Sequence, residues 1–385
     1  MTTTHVFIVD TNTFKYHLEY LFAGTGAKNN SIDFNNKPNT SLNHTTENNL
    51  VGMIADSQRI RRDDFVIFYL QQNYSEKVWE GKFYGIFKAK EDLSFLDNND
   101  PEQFLQQELR KSLTFRTLLE PFEIYAKGVT EWEALDEIKH IQSPNQMLWS
   151  LIYRKLKGNR GNTMITIYES ERLFKLLRDK NNRQILSGSN FTFDVVTQTI
   201  IPCNSIHNYK GRNEPINVLP RLIQKYRNNK AFESHLQAYI VQNIGRGTNK
   251  SLDENLLNGL SFEWLGNEVS CGVGMQRIDV MLSLIEDNRR IVVPIELKSI
   301  AANTNNIIQI QRYVDWLEQY YIPNRISDIQ PVLISKKITN KTSENFKRII
   351  ESFKQFNKKN NQCMPIKYIE YELDGDNLEF QEISY

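Results

Sequence analysis

The chain has 385 residues, of which 40% are hydrophobic and 24% charged. That is the composition of a soluble globular protein long enough for two cored domains. Its mean hydropathy of −0.52 and the lack of any apolar run of about 18 residues exclude a membrane span. A net charge of +1 decides neither for nor against a nucleic-acid partner, because the average hides local basic segments. The three cysteines are widely spaced and make neither a metal pair nor a disulfide framework. Together with an N-terminus that lacks a secretory signal, they predict a reducing, cytoplasmic setting.

In chain order, the first hundred residues read as β-rich. Val6–Val9, Phe65–Leu70 and Lys82–Lys88 are short runs of branched and aromatic residues. The Asn/Thr-rich stretch from Asn29 to Asn49 predicts a long mobile loop. Helical periodicity is expected at Pro101–Ser112 and Ser143–Leu156, followed by a strand at Thr163–Ile167. A helix at Glu169–Arg178 follows, with Leu173, Phe174 and Leu177 inward. Residues 181–220 show little periodicity and contain Pro215 and Pro220, so the connection between domains is placed there.

From residue 221 the pattern is regular. A helix is expected over Asn229–Gln242, then one or two strands between Phe262 and Val273, and strands at Gln276–Ile285 and Arg290–Lys298. A helix at Asn305–Tyr321, a strand at Gln330–Ser335, a helix at Thr342–Phe356 and a last strand at Tyr368–Leu373 complete the chain. This order predicts an α/β domain built on a mixed central sheet flanked by helices.

Within it, Arg277–Tyr313 carries the chemistry. Side chains alternate along a strand, so Glu296 and Lys298 share one face. If the two strands pair across the Glu286–Arg290 turn, Asp279 joins them. Two carboxylates and an ammonium at one point make a divalent-metal site with a lysine beside it. Mg²⁺ is hard and oxygen-seeking, and is usually held by one or two carboxylates plus water and substrate phosphate. Singly, each residue is what any strand end or surface would offer; the set is what points to chemistry.

The order of these residues resembles the PD-(D/E)XK metal-dependent nucleases, over about residues 220–375. In that pattern an acid on the first core helix corresponds to Glu233, and an Asp on the second core strand to Asp279. A Glu-x-Lys on the third corresponds to Glu296-Leu297-Lys298. Gln309 and Tyr313 match the Gln-x-x-x-Tyr motif of RecB-like and NucS-like members. The resemblance implies a restriction-endonuclease-like fold, with Glu233, Asp279, Glu296, Lys298 and Gln309 as catalytic residues. It implies metal ligation by Asp279, Glu296 and the Leu297 carbonyl. Pro294 departs from a regular strand, because its missing N–H predicts a broken ladder or a bulge just before Glu296. The Asp279 motif reads Arg277-Ile278-Asp279 rather than Pro-Asp, and Arg277, near Asp279, is expected to contact a DNA phosphate. Lys298, beside a metal and in a cleft, is expected to show a lowered pKa.

The first 180 residues resemble the PUA/EVE-like β-barrels that bind nucleic acid. The likeness runs through Gly52–Asp56, Arg59–Asp64, Phe65–Tyr69 and Gly81–Phe87. It makes Tyr69, Trp79, Phe83 and Tyr84 candidates for a base pocket, against simple core roles. It makes Arg59, Arg61 and Arg62 candidates for phosphate contact, beside the basic run containing Lys155, Lys157 and Arg160. The expectation is therefore an α+β, barrel-like DNA-recognition domain at 1–180, a linker at 181–220 and a nuclease domain at 221–385. The activity implied is Mg²⁺-dependent cleavage of double-stranded DNA, with Mn²⁺ able to substitute, as in a type II restriction endonuclease. A homodimer and a cognate DNA methyltransferase are the expected protein partners. The alternatives are a NucS-like repair nuclease and a nucleic-acid-binding protein without catalysis.

Overall fold

The computed structural model describes residues 2–26, 44–136, 141–148, 150, 161–271 and 276–385. These divide into two compact units. The first takes the N-terminal residues to 26, 56–143 and 147–216; the second takes 44–55, 144–146 and 217–385.

The chain opens with β1 (Thr4–Val9), α1 (Thr11–Glu19), β2 (Phe22–Thr25), α2 (His44–Gln58), β3 (Phe65–Leu70), β4 (Lys82–Ala89) and β5 (Phe95–Leu96). There follow α3 (Gln106–Leu109), β6 (Phe115–Glu123), β7 (Val129–Thr130), α4 (Glu131–Asp136), β8 (Asn162–Ile165), α5 (Ile167–Lys180), β9 (Phe191–Asp194) and β10 (Thr199–Pro202). Eight of these strands form one sheet, in the order β2-β6-β4-β3-β1-β8, with β5 on β6 and β7 on β4. Among the described residues of this sheet, only β1 and β3 pair in parallel. Strand β6 serves two partners, pairing with β2 through Phe115–Leu118 and with β4 through Leu119–Glu123, and the sheet takes a half-barrel form. Alternation sends Phe68 to one buried cluster, with Phe14, Tyr84, Phe87 and Phe193. It sends Ile67 and Tyr69 to another, with Phe83, Leu173 and Leu177. Both faces are therefore covered, which is why these strands read as near-continuous apolar runs. Reciprocal caps start the helices that cover them: Asp10 with Thr13 for α1, Thr166 with Glu169 for α5.

Two expectations fail in this half. Residues 181–220 are not a linker: Phe191, Phe193 and Ile200 of the β9–β10 hairpin lie buried in the first unit's core, and the unit runs on to Ile216. Residues 44–49 are the start of helix α2 rather than loop. The remainder of that expected loop, 29–43, lies outside the described residues, as do 149 and 151–156 of the helix expected at 143–156, whose described part holds a 3-10 turn at Pro144–Gln146.

The second unit contains α6 (Leu219–Arg227), α7 (Glu233–Asn243), α8 (Lys250–Leu256), β11 (Ser261–Ser270), β12 (Arg277–Glu286), β13 (Arg289–Lys298) and α9 (Asn306–Trp316). A π-helical turn at Leu317–Tyr321 extends α9, and β14 (Asp328–Ile329), β15 (Val332–Lys336), α10 (Glu344–Lys359), β16 (Lys367–Asp374) and β17 (Asn377–Glu382) follow. The mixed sheet runs β11-β12-β13-β15-β16-β17, with β14 beside β13. The meander β11-β12-β13 is antiparallel, β13-β15-β16 is parallel, and β16-β17 is a hairpin. This is the α/β unit with a mixed central sheet that the pattern predicts. Asp287, with φ of 50°, turns β12 into β13. The pairing of Val280 with Ile295 then brings Asp279 beside Glu296.

Pro294 makes no bulge. Its pairing with Met281 continues the unbroken register of β12 on β13. On the other side β14 pairs at Ile291 and Val292, and β15 takes over at Ile295. The proline falls in the break between these two partners, where a strand best tolerates a missing N–H.

Candidate metal and phosphate site

Four elements of the second unit converge. Glu233 is the first residue of α7, Asp279 lies near the start of β12, and Glu296-Leu297-Lys298 ends β13. Tyr313 comes from α9. Lys298 Nζ lies 2.5 Å from Glu296 Oε1 and 3.5 Å from Glu233 Oε1. The Leu297 N–H donates to Asp279 Oδ2 at 2.8 Å, and the Ser299 N–H to Glu233 Oε2 at 3.4 Å. The Tyr313 hydroxyl bonds Glu296 Oε2 and, at 2.9 Å, the Arg277 carbonyl. The carboxylates form a gradient from inside to outside: the Glu296 side chain is 1% exposed and that of Glu233 44%.

The electrostatics follow from enclosing like charges together. Burial raises the pKa of Asp279 well above the ordinary carboxylate range. The charge of Glu296 adds to this, and the Leu297 N–H opposes it. Burial also raises Glu296, against the pull of Lys298 and Tyr313. For Lys298, burial alone would lower the pKa. The neighbouring Glu296, then Glu233 and Asp279, outweigh it and raise the pKa instead. Among these carboxylates the ammonium form of Lys298 is favoured. Cys271 is pushed up to about 12, by burial and then by the two carboxylates, so its thiol is inert beside them.

Among the described residues no three His, Cys, Asp or Glu side chains are clustered closely enough to hold an ion as they stand. The donor chemistry nevertheless fits a hard divalent cation. Buried Glu296 Oε1 lies 2.5 Å from the Lys298 ammonium, and the charge of Glu296 adds to burial in raising Asp279. Lys298 also lies against the more exposed Glu233, so the ammonium bridges two of the three carboxylates. Leu297, the expected carbonyl ligand, has a buried side chain, and its N–H is committed to Asp279.

The remaining expected site residues divide. Gln309 is half-buried on α9, one turn before Tyr313 and so on the same face. Arg277, its side chain 36% exposed, bonds Glu268 on the neighbouring strand at 2.5 Å. Arg59 is fully buried, paired with Asp56 at 3.1 Å and bonded to Asn162, so it is core structure and not a DNA contact. Arg61 is half-buried, its N–H bonding Asp64. Arg62 is exposed, with Glu91 and Asp92 within 3.9 Å. Lys155, Lys157 and Arg160 lie outside the described residues. Tyr69, Phe83 and Tyr84 are core aromatics, whereas Trp79 is 65% exposed. Four further basic side chains between Lys210 and Lys230 are also paired within the fold. Arg212 pairs with Asp97 and Asp100, Arg221 and Lys225 with Glu47, and Arg227 with Asp376.

Three contributors escaped the sequence reading. Gln237 donates to the Asp279 carbonyl at 2.8 Å. The Tyr371 hydroxyl donates to the Lys298 carbonyl at 3.2 Å. Glu47 lies buried between Arg221, Lys225 and His235. No known family model matches the sequence, and no curated protein matches it significantly.

Proposed function

We propose that the second unit is a Mg²⁺-dependent nuclease that hydrolyses phosphodiester bonds in double-stranded DNA, in the manner of a type II restriction endonuclease. The observation carrying this reading is the convergence of Glu233, Asp279 and Glu296 from one helix and two strands around Lys298. A non-catalytic DNA-binding protein has no use for buried, mutually repelling carboxylates, which weaken a fold. Asp279 and Glu296 would hold the metal, with Glu233 completing its surroundings. The metal would offset charge on the scissile phosphate and acidify a bound water. Lys298, beside Glu296 and Glu233, is placed to neutralise phosphate charge or to orient or help deprotonate the attacking water. Tyr313 fixes the Glu296 carboxylate from behind.

The restriction role rests on the absence of a GxxxxGK[ST] nucleotide-binding motif and on a first unit proposed to read DNA. The test is incubation with methylated and unmethylated genomic and phage DNAs, with and without Mg²⁺. The wild type should cut in Mg²⁺ and leave ends at fixed positions, and Asp279→Ala and Glu296→Ala should not cut. Cleavage unchanged in both variants would remove the site assignment. Cutting confined to mismatched or branched DNA would move the role to repair.

A further inference from the structure

We propose that Gln237 is a positioning residue that locks helix α7 to strand β12 and so sets the spacing between Glu233 and Asp279; the inference rests on the metal-site reading above. Gln237 is 6% exposed. A buried amide in a helix is costly unless bonded, and an apolar residue would pack the same position without that cost. Its Nε2 donates to the Asp279 carbonyl at 2.8 Å. It follows Glu233 by four residues, so the two lie on one face of α7. From that face Glu233 reaches the Ser299 N–H and the Lys298 ammonium at the end of β13. Gln237 meanwhile holds the main chain of Asp279, whose carboxylate accepts from Leu297. The helix therefore grips both strand ends within one turn. Removing the amide leaves Glu233 and Asp279 in place but frees their separation, and metal affinity depends on that separation. Groups that orient metal ligands without touching the metal typically change affinity or activity by about 10–100-fold when removed.

The experiment uses the full chain as wild type, Gln237→Met (similar volume, no amide) and Asp279→Ala. Mn²⁺ binding is measured by calorimetry without DNA, alongside thermal melting and the metal dependence of cleavage. Gln237→Met should melt close to wild type and bind Mn²⁺ about 10–100-fold more weakly. The metal needed for half-maximal cleavage should rise in step, with KM for DNA unchanged. Gln237→Asn, which withdraws the amide by one methylene, serves if the Met variant does not fold and should show the same loss. If Gln237→Met binds Mn²⁺ like wild type while Asp279→Ala does not, the positioning role is overturned and the nuclease reading stands. If wild type binds no Mn²⁺, or Asp279→Ala binds it equally well, the metal site itself is wrong and Gln237 falls with it.

Discussion

Asp279 shows how function conflicts with stability in this site. Its carboxylate is held at a raised pKa first by burial and then by the charge of Glu296, so in metal-free buffer near neutrality the folded state carries an unfavourable term. Asparagine preserves shape and can still accept the Leu297 N–H while removing the charge. Asp279→Asn should therefore stabilise the metal-free protein, by roughly 0.5–2 kcal/mol, the usual range when a strained functional group is relieved. The same change should abolish cleavage. Urea unfolding in EDTA checks the first half; a variant less stable than wild type would mean that the Asp279 charge is already compensated. Lys298 behaves oppositely. Its ammonium, 16% exposed, is the nearest positive charge to Glu296, and Lys298→Met leaves that carboxylate buried without a cation. A loss of about 3–5 kcal/mol is expected, as when one partner of a buried pair is removed. Protonation of Glu296 should recover part of it at low pH, and urea midpoints at pH 5 and pH 8 test this.

At the level of elements, the second unit's helices are tied by a buried charge cluster. Glu47, near the start of α2, is nearly inaccessible. It accepts from Arg221 at 2.7 Å and His235 at 3.0 Å, with Lys225 at 3.1 Å. These bonds hold its pKa far below the ordinary range although burial alone would raise it. Glu47→Ala would leave two cations buried on α6 and should cost about 3–5 kcal/mol, read as a lower urea midpoint. An unchanged midpoint would show that solvent already reaches the cluster. Strands β12 and β13 were legible in advance because alternation, the Glu286–Arg290 turn and the Glu-x-Lys spacing are local signals, and the Asp279–Glu296 juxtaposition follows once the two strands pair. Glu47, Gln237 and Tyr371 were not, because their partners lie 188, 42 and 73 residues away in sequence. Arg59 misled for a related reason. A run of arginines looks alike whether it faces water or a buried Asp56, and only the position of Asn162, 103 residues on, distinguishes the two.

Across the whole molecule, burial of ionisable groups sets a direction for pH dependence. His5, His17 and His235 are all enclosed, and burial lowers the pKa of each. His5 and His235 have carboxylates to offset that penalty; His17 instead bonds a carbonyl, that of Phe22, at 2.9 Å. Its pKa drops to about 4, through burial and then the Arg116 charge, against the Phe22 bond and Asp10. In the unfolded chain it returns to about 6.5. Between these values the unfolded state binds the proton and the folded state does not, so stability is intact above about pH 6.5 and falls as the pH drops toward 4. From pH 7 to pH 5 this one residue should cost the first unit about 2 kcal/mol. Asn places an amide where the ring nitrogen Nδ1 stood, so it can still reach the Phe22 carbonyl without titrating. His17→Asn should therefore be less stable at pH 7, because the ring's packing against Phe22 and Phe68 is lost, yet lose about 2 kcal/mol less than wild type on going to pH 5. Urea midpoints of the two proteins at both pH values give that difference directly. Parallel declines would assign the acid sensitivity to other groups, with the carboxylates paired to Arg and Lys in both units as the next to examine.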